Sequence, residues 1–208
     1  MERLIASGAE AKIYETEFFG IPAIKKVRIE KKYRTTQLDV FLRKKRTSKE
    51  VRALHRAKKF GVPCPSVLDV HDYEIIMEKV EGISLRDSLI ELSEEELAII
   101  SNRLGGIVGK LHKAGLVHND LTGVNFILMG KERICLIDFG LVEFSEDCED
   151  RAVDLHVFKQ SVGAIDPRRR DFIVEKFLEG YRKELGEGAE EIISRLHAIE
   201  RRGRYKVR

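Results

Sequence analysis

Hydrophobic and polar residues alternate through much of the first 80 residues, which is typical of strands with one buried face. One helix interrupts them at about 47–60, where Val51, Leu54 and Ala57 form an apolar stripe that ends before Gly61. The strands are predicted at 4–6, 13–19, 21–24, 67–70 and 75–80.

After Gly82 the apolar spacing becomes mostly helical. Residues 93–96 read Ser-Glu-Glu-Glu, a capping box that predicts a helix over about 94–114. Short strands at 126–129 and 133–137, around a turn at Gly130-Lys131, and helices at about 150–163, 168–185 and 189–201 are predicted after it.

These elements predict an α+β fold of two lobes. We expect a β-rich N-lobe over 1–81 with one main helix, a helical C-lobe over 82–200, and a basic tail over 201–208.

Composition indicates a folded cytoplasmic protein with no membrane association. Of the 208 residues, 43% are hydrophobic and 35% are charged, which excludes a disordered chain. No apolar run approaches the roughly 20 residues of a membrane span, and the polar start does not resemble a signal peptide. Three scattered cysteines without a CxxC pair argue against a disulfide framework or a zinc site.

The formal net charge of +3 conceals a segregated distribution. Residues 25–59 hold 15 Lys and Arg against 3 Asp and Glu, and residues 201–208 hold five basic residues and no acid. Such segregation favours a polyanion or an acidic partner. A solvated helix face followed by an ordinary tail is the alternative that composition leaves open.

Two short segments carry the chemistry. His-Asn-Asp-Leu-Thr-Gly-Val-Asn over 118–125 is followed by Ile-Asp-Phe-Gly over 137–140. Asn125 and Asp138 supply the oxygen ligands that Mg²⁺ prefers. Asp120 is then left to orient a hydroxyl or water and to accept its proton, as phosphoryl transfer requires.

The pattern HxDxxxxN followed by DFG resembles the catalytic loop and metal-binding segment of protein-kinase-like enzymes. The loop itself is similar to the HGDLTTSN loop of the small atypical kinase in the KEOPS complex. Gly-Ala-Glu-Ala over 8–11, the KxRxxKxYR pattern over 26–34 and Arg-Arg-Gly-Arg-Tyr over 201–205 are similar as well. The resemblance thus covers essentially the whole chain. Asn119, Gly123 and Val124 depart from it, standing where that family has Gly, Thr and Ser.

This resemblance implies a minimal bilobal protein-kinase-like fold that uses ATP and Mg²⁺. It also implies a role in threonylcarbamoyladenosine modification of adenosine 37 in tRNAs that read ANN codons. The partners it implies are the ATPase-fold modification subunit of KEOPS, a small helical regulator on the N-lobe, and tRNA, bound directly or through the complex.

The nucleotide lid and its lysine are harder to place. Of the GxGxxG pattern only Gly8 remains, so the stretch by itself predicts a hairpin turn; its place before a lysine-bearing strand favours a lid. Lys25 completes an Ala-Ile-Lys triplet, whereas the family spacing selects Lys26 for the phosphates and leaves Lys25 facing solvent. The lid residues are Ser7, Gly8, Ala9, Glu10, Ala11 and Lys12.

Glu50 is the expected partner of this lysine, although Thr47–Glu50 also fits a capping box in which Glu50 only bonds the Thr47 amide. Met77 is expected behind the adenine, with the backbone of Glu78 and Val80 at the base edge; plain core packing is the alternative for Met77. We expect His118 and Asp154 to support the catalytic loop.

Only eleven residues separate Gly140 from Ala152, and no Ala-Pro-Glu follows. Protein kinases build their peptide platform in this interval. We therefore expect ATP hydrolysis, or modest Ser/Thr phosphorylation, stimulated by a partner. The basic segments are expected to contact tRNA, or the tail to enter the partner's nucleotide site. A RIO-like or small-molecule kinase and a pseudokinase scaffold are the alternatives.

Overall fold

The computed structural model describes residues 2–130 and 133–204, and it divides them into a sheet lobe and a helical lobe. The strands are β1 (Arg3–Ser7), β2 (Ala11–Phe18), β3 (Ile21–Arg28), β4 (Val67–His71), β5 (Glu74–Glu78), β6 (Ile83–Ser84), β7 (Leu116–Val117), β8 (Phe126–Met129), β9 (Arg133–Leu136) and β10 (Glu143–Phe144). The helices are α1 (Thr36–Lys59), α2 (Leu85–Ser88), α3 (Glu94–Lys113), α4 (Cys148–Ile165), α5 (Arg170–Leu185) and α6 (Ala189–Arg204).

The N-lobe is an antiparallel five-stranded sheet in the order β1-β2-β3-β5-β4, with α1 beside it. The register pairs Ile13 of β2 and Ile75 of β5 with Lys26 of β3. Since successive residues of a strand point to opposite faces, Lys26 and Arg28 share one face and Lys25 takes the other. The alternating pattern of the sequence therefore predicted these five strands to within a few residues at their ends.

Helix α1 is eleven residues longer at its start than the sequence predicted, since it begins at Thr36 rather than near 47. Its first turns are held by charge instead of an apolar stripe. Asp39 is 1% exposed, bonds Arg43 at 2.6 Å and accepts the Lys31 amide at 3.1 Å. Meanwhile Leu38 and Phe41 face solvent. Hydrophobic periodicity could not reveal a helical segment anchored in this way.

The C-lobe is built around α3 and α5, which pack against each other along most of their length. The capping box at the start of α3 is confirmed: the Ser93 hydroxyl accepts the Glu96 amide, and the Glu96 carboxylate accepts the Ser93 amide. The later helices also lie within two or three residues of prediction, and α6 continues to Arg204. Residues 205–208 of the basic tail, and Lys131 of the turn before β9, lie outside the described residues.

Three very short strands and α2 were missed by the sequence analysis. Of these, β10 pairs with β7, and α4 begins only four residues after β10. The segment after Gly140 therefore leads through one two-residue strand directly into α4. Within the described ranges, none of the helices is both long enough and apolar enough to span a membrane.

Glycine is required where α3 and α5 cross. A Cβ added at Gly105 would lie 1.8 Å from the Phe177 carbonyl oxygen, and one at Gly180 would lie 1.8 Å from that of Asn102. Gly106, the next residue of α3, has nothing within 4 Å of the same position. The close approach of the two helices thus depends on Gly105 and Gly180.

We predict that Gly105→Ala lowers the free energy of unfolding by about 3 kcal/mol, because the two helices must separate to admit a methyl group. The matched variant Gly106→Ala is expected to raise it by about 0.5–1 kcal/mol, because a methyl group fits there and alanine favours a helix interior more than glycine does. Urea unfolding of both variants checks this. Equal stabilities would contradict the helix contact.

Candidate active site

Lys26 joins the two lobes. Its Nζ lies 2.7 Å from Oε1 of Glu50 on α1 and 2.7 Å from Oδ1 of Asp138 in the C-lobe. Lys25 instead forms ion pairs with Glu2 and Glu74 on the other face of β3, at 2.9 and 3.3 Å. The structure thus brings Lys26, and not Lys25, to the cleft.

Glu50 lies in the middle of α1, and its side chain is 2% exposed. One carboxylate oxygen bonds Lys26, and the other accepts a hydrogen bond from Nη2 of Arg28 at 2.5 Å. The capping-box interpretation is wrong: Thr47 is already helical, and its hydroxyl donates to the Arg43 carbonyl at 3.0 Å. Arg28 was not predicted as a site residue, although the period of two along β3 places it on the same face as Lys26.

The charges at this junction reinforce one another. Burial disfavours the charged form of Lys26, but the carboxylates of Glu50 and Asp138 outweigh it and raise the pKa of Lys26 above its ordinary value. Burial would likewise raise the pKa of Asp138, but the charge and hydrogen bond of Lys26 lower it overall. Both groups therefore remain charged at neutral pH.

Asp138 is held in a strained turn two residues after the end of β9. Its backbone is left-handed, with φ 59°, and its side chain accepts the Gly140 amide at 3.2 Å. A Cβ at Gly140 would come within 3.0 Å of both the Asp138 carboxylate and the Lys26 ammonium. The glycine of the Asp-Phe-Gly segment therefore leaves space for this ion pair.

Asp120 and Asn125 are brought together in the catalytic loop. The Asn125 side-chain nitrogen donates to both the backbone carbonyl and the carboxylate of Asp120, each at 2.8 Å. Since those oxygens only accept, the amide nitrogen must face Asp120, and the Asn125 side-chain oxygen is left for another partner. Asn125 and Asp138 line one cavity. This arrangement places the side-chain oxygens of Asn125 and Asp138 at the cleft, beside the part-buried carboxylate of Asp120.

The loop is supported from below by Asp154 of α4, as expected. Its fully buried carboxylate accepts the backbone amides of His118 and Asn119 at 2.6 and 2.7 Å. The His118 Nε2–H donates to the Ile137 carbonyl at 3.1 Å. Burial lowers the pKa of His118, so the ring is neutral and ties the catalytic loop to Ile137, the residue between β9 and Asp138.

The structure explains two of the departures from the family loop. Asn119 has a left-handed backbone, with φ 64°, which asparagine tolerates better than most residues that carry a side chain. Gly123 packs against Ile165, since a Cβ there would lie 2.8 Å from the Ile165 side chain. Val124 is exposed, and nothing in the structure explains its presence.

An apolar cavity of about 340 Å³ opens beside Lys26 and Asp138. Met77, Glu78 and Val80 line it, as expected, and Met77 is 9% exposed. The Glu78 amide donates to the Ser66 carbonyl at 2.8 Å, so the Glu78 carbonyl is the backbone group left for a ligand at that residue. Further lining comes from Ile5, Ile13, Ile24, Ile127 and Ile137.

A second cavity of about 580 Å³ lies under the β1–β2 hairpin and shares Lys26 and Asp138 with the first. Gly8, Ala9, Glu10 and Ala11 line it. The Gly8 amide donates to the Ala11 carbonyl at 3.0 Å and closes the turn. Ser7 and Lys12 face each other across the hairpin, but line neither of these two cavities.

Residues 11–148 match the RIO domain family. Over 99% of its length the chain is 42% identical to the KEOPS complex subunit Bud32 of Pyrococcus abyssi, covering 97% of that protein. It is 38% identical over its full length to a probable serine/threonine-protein kinase BUD32 homolog of Archaeoglobus fulgidus, covering 98% of it.

A probable bifunctional tRNA threonylcarbamoyladenosine biosynthesis protein of Methanocaldococcus jannaschii is 41% identical over 98% of the chain, which spans only 37% of that longer relative. Among solved structures, the Rio2 kinase of Chaetomium thermophilum, in its ADP/Mg²⁺-phosphoaspartate complex, superposes with a TM-score of 0.65. It covers 98% of this chain and 70% of the other at 16% identity, which shows the shared fold. The chain therefore belongs to the RIO domain family and, within it, to the family of the Bud32 proteins.

Proposed function

We propose that the protein transfers the terminal phosphate of ATP to water or to a serine or threonine hydroxyl, as a cytoplasmic KEOPS subunit needed for threonylcarbamoyladenosine modification of tRNA. One observation carries the enzymatic part. Lys26 bridges Glu50 and Asp138 where the apolar cavity meets the cavity under the hairpin. An apolar pocket joined to a charged one fits a base linked to phosphates.

The base of the nucleotide is proposed to occupy the apolar cavity, and its phosphates the cavity under the hairpin. The adenine is proposed to lie in the apolar cavity against Met77, with its edge at the backbone of Glu78 and Val80. Lys26 then meets the phosphates, and Glu50 holds it in position. The lid turn is proposed to cover the phosphates, since Gly8, Ala9, Glu10 and Ala11 line the same cavity as Lys26.

Asn125 and Asp138 fit a magnesium ion that shares its coordination with phosphate oxygens. Both offer hard oxygen atoms, and Mg²⁺ commonly uses one or two protein ligands together with substrate phosphates and water. Among residues 2–130 and 133–204, no group of three His, Cys, Asp or Glu side chains could hold a metal unaided. When bound, the ion neutralises charge on the phosphates.

Asp120 is proposed to orient the acceptor and take its proton. The Asn125 amide fixes its carboxylate at 2.8 Å, and the backbone before it is tied to Asp154 through Asn119. Positioning of this kind supplies much of the catalysis in phosphoryl transfer. The proton acceptor is therefore held by two independent contacts.

The short segment after Gly140 favours a small acceptor or a docked partner over a free peptide. After a 3-10 turn over Phe139–Leu141 it forms the two-residue strand β10, paired with β7, and α4 begins at Cys148. We propose that the ATPase-fold modification subunit and a small helical regulator dock on this protein and stimulate turnover. Two relatives, a KEOPS complex subunit and a probable bifunctional tRNA threonylcarbamoyladenosine biosynthesis protein, support that setting.

A pseudokinase scaffold is the second candidate. The exposed basic residues of α1 would serve such an assembly without any catalysis, and Lys45 and Arg52 are examples. Against it stand the buried, ion-paired Lys26 and the Asp120–Asn125 contact, which a scaffold does not need.

We predict that Lys26→Met lowers ATP hydrolysis by about 100-fold or more, because the cation that meets the phosphates is lost. Lys25→Met, which removes the same charge from the opposite face of β3, is expected to retain activity within about twofold. Phosphate release from labelled ATP measures both, and thermal unfolding confirms that each variant is folded. Similar losses in the two variants would refute the assignment of Lys26.

Asp138→Asn is expected to abolish both ATP hydrolysis and tRNA modification in the reconstituted complex, since it removes a carboxylate proposed to bind the metal. Phosphate release and threonylcarbamoyladenosine formation are measured in parallel, with complex assembly as the control. Full modification by an assembled Asp138→Asn complex would favour the scaffold.

Hydrolysis rates that are equal with and without the partner subunits would argue against stimulation by a partner.

The basic tail is proposed to contact tRNA phosphates. We predict that four Gln substitutions there weaken binding at low salt by about tenfold and reduce its salt dependence, because fewer counterions are released. Filter binding against salt concentration checks this, and unchanged low-salt binding would remove the tail from the contact. The tail variant replaces Arg201, Arg204, Lys206 and Arg208; its control replaces Arg168, Arg170, Arg182 and Lys183.

A further inference from the structure

The cavity under the β1–β2 hairpin is lined by more positive charge than Lys26 supplies. Arg28 of β3 and Arg46 and Lys49 of α1 also line it. Arg46 and Lys49 are three residues apart and therefore share a face of the helix. None of these three cations has a part in the phosphoryl transfer proposed above, except that Arg28 bonds Glu50.

Arg28 is the most buried of the three, at 5% exposure. Its Nη2 bonds the Glu50 carboxylate and the Arg46 carbonyl, the latter at 3.3 Å. Its Nε is buried and has no hydrogen-bond partner. A buried donor without a partner is uncommon and costs stability. The cavity wall therefore contains a guanidinium whose bonding capacity the protein leaves partly unused.

Arg46 and Lys49 are neutralised by carboxylates from other walls of the same cavity. Arg46 pairs with Glu10 of the lid turn, and Lys49 pairs with Glu143 of β10. Glu10 and Glu143 both line the cavity, and both pairs are open to solvent. Exposed ion pairs are weak and exchange partners readily. A phosphate group, with up to two negative charges and three acceptor oxygens, can replace both carboxylates.

We propose that Arg28, Arg46 and Lys49 form a subsite for a phosphoryl dianion, and that Glu10 and Glu143 occupy its two outer cations until the anion binds. Resting on the ATP use proposed above, the subsite receives the terminal phosphate of the bound triphosphate. Free inorganic phosphate has the same chemistry and is the other source. The lid residue Glu10 is then a counterion for Arg46 and not a phosphate ligand.

This arrangement makes nucleotide affinity depend on the number of phosphates. A triphosphate reaches the cations of α1, whereas a monophosphate in the apolar cavity does not. Release of Glu10 from Arg46 also frees the lid turn from α1, because their ion pair connects the two. Binding of the terminal phosphate and the position of the lid are therefore coupled.

The test compares the full chain with the double variant Arg46→Gln/Lys49→Gln. Calorimetry measures the affinity for AMP and for a non-hydrolysable imido analogue of ATP with Mg²⁺. We expect the affinity of the variant for the ATP analogue to fall by about tenfold or more, since two charge-assisted contacts disappear. Its affinity for AMP is expected to stay within about twofold of that of the parent. Arg28 is left unchanged, because its removal would strip Glu50 of a buried partner.

A matched control, Lys45→Gln/Arg52→Gln, removes two exposed charges from the same helix at positions that do not line the cavity. It is expected to bind both nucleotides within about twofold of the parent. If the Arg46/Lys49 variant binds the analogue as tightly as this control, the subsite is refuted and the proposed ATP use stands. Equal losses for AMP and the analogue would also refute it, by showing general damage to the cleft.

Inorganic phosphate alone distinguishes the two sources. Protection of the parent against thermal unfolding by phosphate, absent in the Arg46/Lys49 variant, would assign the subsite to free phosphate. A loss confined to the ATP analogue would assign it to the terminal phosphate of the nucleotide. If the parent chain binds neither AMP nor the analogue, the proposed function fails and the subsite for a nucleotide phosphate fails with it.

Discussion

The active cleft depends on one buried carboxylate, that of Glu50. Its side chain is 2% exposed and meets Lys26 and Arg28, both from β3. A buried charge that loses its partner costs about 3–5 kcal/mol, so Glu50 holds α1 against this strand. Because Lys26 also bonds Asp138, the same interaction sets the approach of the two lobes. The space for a nucleotide lies between those charges and the apolar strands.

Asp154 has the corresponding place in the C-lobe. It is fully buried, accepts two successive backbone amides of the catalytic loop, and lies 3.3 Å from His112 Nε2. The ring of His112 continues through Nδ1 to the Tyr181 hydroxyl at 2.8 Å, which links the loop to α5. In both lobes, a fully paired acid sets the geometry, while Asp120 and Asp138, the acids with proposed chemical roles, keep part of their surface exposed.

The sequence by itself determined the order of the principal elements and the place of the proposed catalytic residues along the chain. Strand alternation and capping patterns are local signals, and the main strands and α3 follow them closely. The residues of the loop from His118 to Asn125 are contiguous, so their meeting needs little long-range structure. The spacing of the family pattern selected Lys26 over Lys25. In the structure Lys26 contacts Glu50 in the cleft, whereas Lys25 contacts Glu2 on the other face of the strand. The nucleotide roles of these residues stay predictions.

Only the tertiary structure decided what depends on partners distant along the chain. The early start of α1 depends on a buried Asp39, which carries no hydrophobic periodicity. Other contacts also form only where separate elements meet. They are the ion pair of Glu10 with Arg46, that of Arg28 with Glu50, and the hydrogen bond from the Glu78 amide to the Ser66 carbonyl. Ion pairs and hydrogen bonds across such distances leave no repeating pattern in the sequence, because each requires only one residue at each end.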